Sequence, residues 1–461
     1  AYIYDNLTLS SNVEINNLEV APGGSLTINA GVSLKVNGTS SGNVTYNTTL
    51  GTENWYLVSS PVAGETYDGD YVTANSLAIN GANNAIATYT TADNTWSYMQ
   101  TGGGASFTPG TGYSVRRADA AGPGTISFTG TINTSDVAAS VGIGADGLNL
   151  VGNPFTTYLT SASFLTGNSG NLRTTNIWVF NQATSNYEVK NLAGGFVLAP
   201  AQGFFVKANA ATNLNIAESY QAATGNAFQK TSKSEITLNM NDGTNNRFAK
   251  VYYLDNATTS FDNGYDGETF EGIANTVDVF THLVANSDGK NYQIQSLPNS
   301  DFETMVVPVG ITADAGKEIT FTAEAMNLQE GLKVFLEDKV TNTITRLDEA
   351  NATYKVTLTE ALNGIGRFYV HTKASGVLST TNVTLQNVSV YTTDKTTLRV
   401  VGLSQGKASV KLYNMLGKQV FATSFNSVGV KDMNLPTLAT GIYVVQLETE
   451  SGKLNKKITL E

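Results

Sequence analysis

Residues 18–36 read Leu18-Glu19-Val20-Ala21-Pro22-Gly23-Gly24-Ser25-Leu26-Thr27-Ile28-Asn29-Ala30-Gly31-Val32-Ser33-Leu34-Lys35-Val36. Three apolar–polar–apolar triplets, starting at 18, 26 and 34, each set two apolar side chains on one face of a short strand, and Gly-bearing turns separate them. Two arrangements satisfy this pattern: a few rungs of a β-solenoid, or a meander of very short strands. Either is too small to bury its own apolar face, so the segment must pack on the next domain or on a second chain.

The period of two continues downstream, interrupted at short intervals by Gly, Asn or Asp. The chain therefore reads as all-β: tandem β-sandwich modules behind a short N-terminal β-solenoid-like segment. The best helical candidate is short, Ala323 to Gly331. A duplication lies in the middle: Trp55-Tyr56-Leu57-Val58-Ser59-Ser60-Pro61 matches Leu148-Asn149-Leu150-Val151-Gly152-Asn153-Pro154, Ile86 to Tyr98 matches Ile177 to Tyr187, and Pro109-Gly110-Thr111-Gly112-Tyr113-Ser114-Val115 matches Pro200-Ala201-Gln202-Gly203-Phe204-Phe205-Val206. Landmarks in the same order at a nearly constant offset indicate two copies of one β unit. Core packing, rather than a ligand groove, is the expected reason for their shared Pro, Gly and aromatic positions. The organisation expected is a short-rung segment or N-terminal arm over 1–47, a duplicated unit over 48–225 with copies at 48–138 and 142–222, an antiparallel β-sandwich over 226–378, and a small C-terminal module over 379–461.

Composition narrows the chemistry. The 461 residues suffice for about three domains of ~150 residues. Charged residues make up 14%, with 44 glycines and 9 prolines, which excludes a disordered polyelectrolyte, a collagen and a coiled coil. Lys and Arg number 27 against 38 acidic residues, a net charge of −11, so nucleic acid is not an expected partner. The absence of cysteine removes disulfides, thiolate zinc sites and cysteine nucleophiles. Two histidines, His282 and His371, leave little for Ser-His-Asp or His-metal chemistry and are expected to be packed or strand-surface imidazoles. No apolar window is long enough for a transmembrane helix. A cysteine-free chain rich in Thr, Asn, Gly and Tyr fits bacterial export across an oxidising space.

No nucleophile elbow, zinc-binding His-Glu-x-x-His, Walker loop or dinucleotide fingerprint is present, so no enzyme is expected. One loop, Phe261-Asp262-Asn263-Gly264-Tyr265-Asp266-Gly267-Glu268, gathers acidic and glycine residues. It reads as a solvated turn, with Ca2+ held by Asp262, Asp266 and Glu268 as the alternative; the spacing is not that of a helix-loop-helix site.

The C-terminal module carries three ordered blocks: Val410-Lys411-Leu412-Tyr413-Asn414-Met415-Leu416-Gly417-Lys418-Gln419-Val420, Leu435-Pro436-Thr437-Leu438-Ala439-Thr440-Gly441-Ile442-Tyr443-Val444-Val445, and Gly452-Lys453-Leu454-Asn455-Lys456-Lys457-Ile458. In these it resembles the type A C-terminal sorting domain of the Bacteroidetes type IX secretion system. It departs from that family where an Asn-Pro pair usually follows the first strand, having Tyr391-Thr392-Thr393-Asp394 instead. The resemblance implies an exported protein of the cell surface or extracellular space of a Gram-negative bacterium. It implies handling by the type IX outer-membrane translocon and a shuttle barrel, with Gly417, Lys418, Gly441, Tyr443, Lys456 and Lys457 as signal residues rather than catalysts.

Three functions are weighed. The first is a surface structural protein, extending to a homopolymer in which the arm Ala1 to Ser10, through Tyr2, Tyr4, Leu7 and Leu9, adds a strand to the next subunit. The second is a monomeric adhesin or glycan-binding protein using Trp96, Tyr98 and Tyr113. The third is a carboxylate-dependent hydrolase.

Overall fold

The triplets of residues 18–36 are three sides of a single turn, not three turns. Leu18–Val20, Ser25–Ile28 and Leu34–Val36 pair in parallel with Tyr2–Ile3, Asn6–Leu9 and Val13–Ile15. The first two pair onward with Ser40–Ser41 and Val44–Leu50. The repeat is thus the full three-sided turn, which brings Asn6 opposite Ser25 and Val13 opposite Leu34. This selects the solenoid over the meander. It also corrects the picture of a free arm: residues 2–9 are strands of the first turn, paired within their own chain. The inward residues Leu18, Leu26, Ile28 and Leu34 continue into the core formed by Tyr46, Val62, Phe107 and Phe128, so the next module supplies the support the segment lacks.

The duplication is visible strand by strand. Copy one orders its sheet Tyr56–Val58, Tyr113–Val115, Asn83–Thr90, Thr95–Gln100. Copy two orders its own Leu148–Gly152, Gly203–Lys207, Asn176–Asn181, Asn186–Asn191. Each has a short helix between its first two sheet strands in sequence, Gly69–Ala74 or Ser161–Gly167. Each also has an outer antiparallel pair, Val44–Leu50 with Gly124–Ile132 or Val137–Val141 with Thr212–Ile216. Between the copies, equivalent bonds are exchanged. Ser59 N donates to Ala201 O at 2.9 Å and Gly152 N to Gly110 O at 3.0 Å. The approach is close enough that a Cβ on Gly152 would lie 2.3 Å from Cβ of Ser59, which requires glycine there.

The computed structural model describes residues 1–182, 184–224, 233–273, 275–374, 388–449 and 452–460. Residues 1–374 form one compact unit and 375–461 a second. The expected boundaries at 225/226 and 378/379 fall outside the described residues. The segments 1–47, 48–225 and 226–374 are therefore parts of one unit. Leu148, Leu150, Trp178 and Phe205 of copy two share an apolar cluster with Tyr252, Phe270 and Ile294 of the following sandwich.

That sandwich is a single hydrogen-bonded sheet of eleven strands. Residues from both ends of its strand order, Val334 and Leu336 at one and Ile319 and Phe321 at the other, meet in one core, so the sheet folds over on itself. It is antiparallel except for Asn246–Leu254 beside Tyr292–Pro298. The helix expected from Ala323 to Gly331 is not formed: Glu318–Met326 is a strand held between Ser234–Asn241 and Tyr354–Thr357. Ile319 and Phe321 need the sheet period to reach the core, and that burial overrides the helical preference of Ala-Glu-Ala-Met. Asp338, fully buried, accepts from Arg367 Nη2 at 2.8 Å, Tyr354 OH at 2.8 Å and Val340 N at 2.9 Å. These partners satisfy the charge that burial would otherwise penalise and hold its carboxyl below the usual range.

The C-terminal unit has five described strands, Ser389–Asp394, Thr397–Asn414, Gln419–Asn434, Gly441–Thr449 and Gly452–Leu460, where the sequence suggests seven. The extra breaks are irregularities in pairing near Gly402, Gly406 and Gly429, which interrupt the alternation without ending the strand. Val390, Val400, Val410, Leu412, Val445 and Leu447 fill its core.

Candidate functional site

The sorting-type residues gather toward one end of the C-terminal sheet. Asn414 lies opposite Tyr443, and Gly441 opposite Leu460. The turn 414–418 therefore stands beside the entry to the strand Gly441–Thr449. Asn414 builds this turn: its Oδ1 accepts from Leu416 N at 3.0 Å and Lys418 N at 2.9 Å, while Gly417 takes φ +77°. Met415 and Leu416 project from the tip, Leu416 at 93% exposure. Tyr443 is buried and its OH donates to Ala439 O at 2.8 Å, so it fixes the loop before its own strand. Lys456 and Lys457 are exposed on Gly452–Leu460, opposite Val445 and Val444.

The acidic loop does not bring its candidate calcium ligands, Asp262, Asp266 and Glu268, together. Asp266 accepts from Asp262 N at 2.7 Å and Ser296 N at 2.7 Å. Asp262 is turned to Thr258, whose Oγ1 lies 3.2 Å away. Glu268 accepts from Lys290 Nζ at 2.5 Å and Lys207 Nζ at 3.3 Å. Each carboxylate faces different partners, and among the described residues no three acidic or histidine side chains converge as metal ligands. Nor is the loop a solvated turn, since Asp266 and Glu268 are buried. Burial pushes the Asp266 carboxyl up to about 7, against the two amides that favour its ionised form. The loop is a plug: Trp178 Nε1 donates to Glu268 O at 2.9 Å and Phe270 stacks on Tyr187 with ring centroids 4.0 Å apart.

Copy one leaves the corresponding face open only along its Tyr98 side; Leu57, Ser114 and Ala87 are buried, Leu57 in the same apolar cluster as the face of copy two. In register across its sheet lie Leu57, Ser114, Ala87 and Tyr98, where copy two has Leu150, Phe205, Trp178 and Val189. Two adjoining hollows of about 310 and 170 Å³ result, sharing Trp55 and Tyr98 as a ridge. These rings meet edge to face at 5.8 Å, with Tyr98 38% exposed. One hollow is lined by Asn80, Asn83 and Arg116, the other by Ser114, Trp96 and Phe180. Of the aromatics expected on a binding surface, Tyr98 lies here and Trp96 is half-buried beside Tyr89, but Tyr113 is buried in the core. Trp55 and Arg116 were not among those expected. The aligned copies carry the signal that points to them: Trp55 stands where copy two has Leu148, and Arg116 where it has Lys207.

His371 lies in the strand Leu362–Ala374, and His282 directly follows the strand Asp278–Thr281. His371 Nε2 lies 2.6 Å from Glu337 Oε2, and burial holds its pKa below the usual value despite that carboxylate. His282 Nε2 lies 2.9 Å from Asn291 Oδ1. Among the described residues no helix is long and apolar enough to cross a membrane.

Residues 176–371 match a family described as a domain of unknown function (DUF8693). This match begins inside copy two and ends inside the folded sheet, in keeping with the shared apolar cluster. Curated proteins give no match. Among solved structures, the BSP domain of a biofilm-associated protein aligns over 89% of this chain and 96% of its own, at 8% identity and a TM-score of 0.14, too low to carry an argument. Residues 381–461 match the secretion system C-terminal sorting domain. The chain is accordingly a cargo of the type IX secretion system with a type A sorting domain, handled by that machinery and exported to the cell surface or extracellular space.

Proposed function

We propose that the exported chain is a non-enzymatic structural protein of the cell surface that assembles through its N-terminal solenoid segment. The observation that supports this is the exposed apolar and aromatic surface of that segment. Tyr2–Ile3, Asn6–Leu9 and Val13–Ile15 are the outermost strands of their sheets. Residues 1–15 contain no Lys, Arg or Pro that would oppose strand addition. Tyr2, Tyr4 and Leu7 are exposed at 58%, 75% and 43%, and Leu9 alone of the four candidate arm residues packs on the core. A parallel strand from a second copy would continue the stack in the geometry the first two turns already use. The non-enzymatic reading is supported by histidines whose Nε2 atoms already pair with Glu337 and Asn291 and by buried carboxylates that already serve lysines, arginines and backbone amides. In the sorting unit, Gly417, Lys418, Gly441, Lys456 and Lys457 would form the surface presented to the translocon and shuttle barrel, with buried Tyr443 holding the loop before Gly441–Thr449 in place.

Sedimentation and negative-stain imaging of the purified full chain test the assembly. Concentration-dependent filaments, lost in Leu7→Lys, are expected. A chain that stays monomeric at high concentration would remove this reading. The adhesin alternative, which requires no assembly, has one observation in its favour: the open aromatic face of copy one.

A further inference from the structure

We propose that the groove of copy one binds a neutral polysaccharide chain, with Trp55 and Tyr98 as its stacking platforms; this goes beyond the structural reading and stands whether or not the chain polymerises. The duplication supplies an internal control. In copy two the equivalent face is filled by Trp178 and Phe205 and capped by Phe270, so all of its row is buried, whereas in copy one the row ends on Tyr98, 38% exposed, beyond buried Leu57, Ser114 and Ala87. In copy one the two large floor residues are replaced by Ala87 and Ser114, while aromatic bulk stands at the rim, Trp55 for Leu148 and Tyr98 for Val189. The ridge of the two touching rings, with a hollow on either side, offers aromatic faces on which flat rings can lie. The C–H groups of a pyranose carry the slightly positive charge that the negative faces of indole and phenol rings attract.

The polar lining sets the ligand's charge. Arg116 is the cation of the groove, and it is already committed: Nε donates to Glu53 O at 2.7 Å and Nη2 pairs with Asp119. Asn80 and Asn83 add amides, which donate to and accept from hydroxyls equally. An acidic ligand finds no uncompensated cation here, and the chain's net charge of −11 repels a polyanion. The same argument disfavours an acidic aromatic segment like the one that plugs copy two, where Lys207 reaches Glu268 and Glu271. The hollows on the two sides of the Trp55–Tyr98 ridge together reach the lower end of ordinary ligand clefts, ~300–1,000 Å³. A ligand that crosses the ridge is a chain of rings, not a single sugar.

The test is native affinity electrophoresis of the full chain in gels containing dextran, mannan or xyloglucan, with alginate as the anionic arm. A second arm is fluorescence polarisation with a labelled peptide of the sequence of residues 265–273. Retardation by at least one neutral polysaccharide is expected. Tyr98→Ala should weaken it about tenfold or more, as truncating an aromatic anchor does. Ser114→Phe, which installs the side chain copy two carries, should weaken it similarly with the rim intact. Both variants should keep the wild-type melting temperature, or binding is compared at a temperature where each is folded. The proposal is overturned by no retardation in any neutral gel, by retardation that both folded variants retain, by retention in alginate alone, or by binding of the peptide alone.

Discussion

Two copies of one β unit sit side by side in this chain, and they have spent the same sheet face differently. Copy two gives its face to the sandwich: Trp178, Phe205 and Tyr187 take up Phe270, while Lys207 takes up Glu268 and Glu271. Copy one keeps small side chains on the floor and open aromatics at the rim. The difference shows that the duplicated scaffold tolerates either use. Whether a face becomes core or groove is decided by a few positions in register, not by the fold.

The contrast predicts unequal responses to matched substitutions. The largest is Phe270→Ala, which empties the plug and should cost about 3–5 kcal/mol in urea unfolding of the full chain. Next is the pH response of the same plug. Asp266 has its folded pKa raised to about 7, above the unfolded value near 3.8. Its contribution is full below that unfolded value and is lost as pH rises through about 7. The melting temperature of the wild type should therefore fall relative to Asp266→Asn between about pH 4 and 7 and run parallel above. A constant difference across that window would contradict the burial of this carboxyl. Third, Lys207→Met should cost about 1–3 kcal/mol by leaving buried Glu268 short of a partner. The equivalent Arg116→Ala, whose Asp119 partner is mostly exposed, should cost below ~1 kcal/mol. Equal losses at the two sites would break the comparison. The smallest is Tyr98→Ala, expected within ~0.5 kcal/mol of wild type in thermal unfolding.

Much of this was legible in the sequence, and the misses have physical causes. The all-β class, the duplication and the sorting module follow from alternation and from ordered motifs at one offset. The solenoid was legible but its period was not, because Leu18-Glu19-Val20 looks most like the neighbouring side of its own turn, while its true partner, Tyr2-Ile3, is shorter. Phe261 to Glu268 reads as solvent-exposed because Asp and Gly dominate it, and only the fold brings Trp178 and Lys207 from copy two to cover it. The groove lay in a comparison within the chain: Ser114 for Phe205 and Ala87 for Trp178 are visible in the aligned copies. What those substitutions do depends on which face of the sheet they share, and that is a property of cross-strand register.

The most direct measurement is hydrogen exchange of the full chain at peptide resolution, comparing Thr95–Gln100 with Asn186–Asn191, the outer strands of the two copies. Both pair with one neighbour in their own sheet, but only the second is sealed by the sandwich, where Val189 N donates to Gln293 Oε1 at 2.8 Å. The account predicts that Asn186–Asn191 and the plug residues 266–271 exchange together and only on global unfolding, with Thr95–Gln100 exchanging earlier through local opening. Equal protection of the two strands, or a plug that exchanges first, would contradict it.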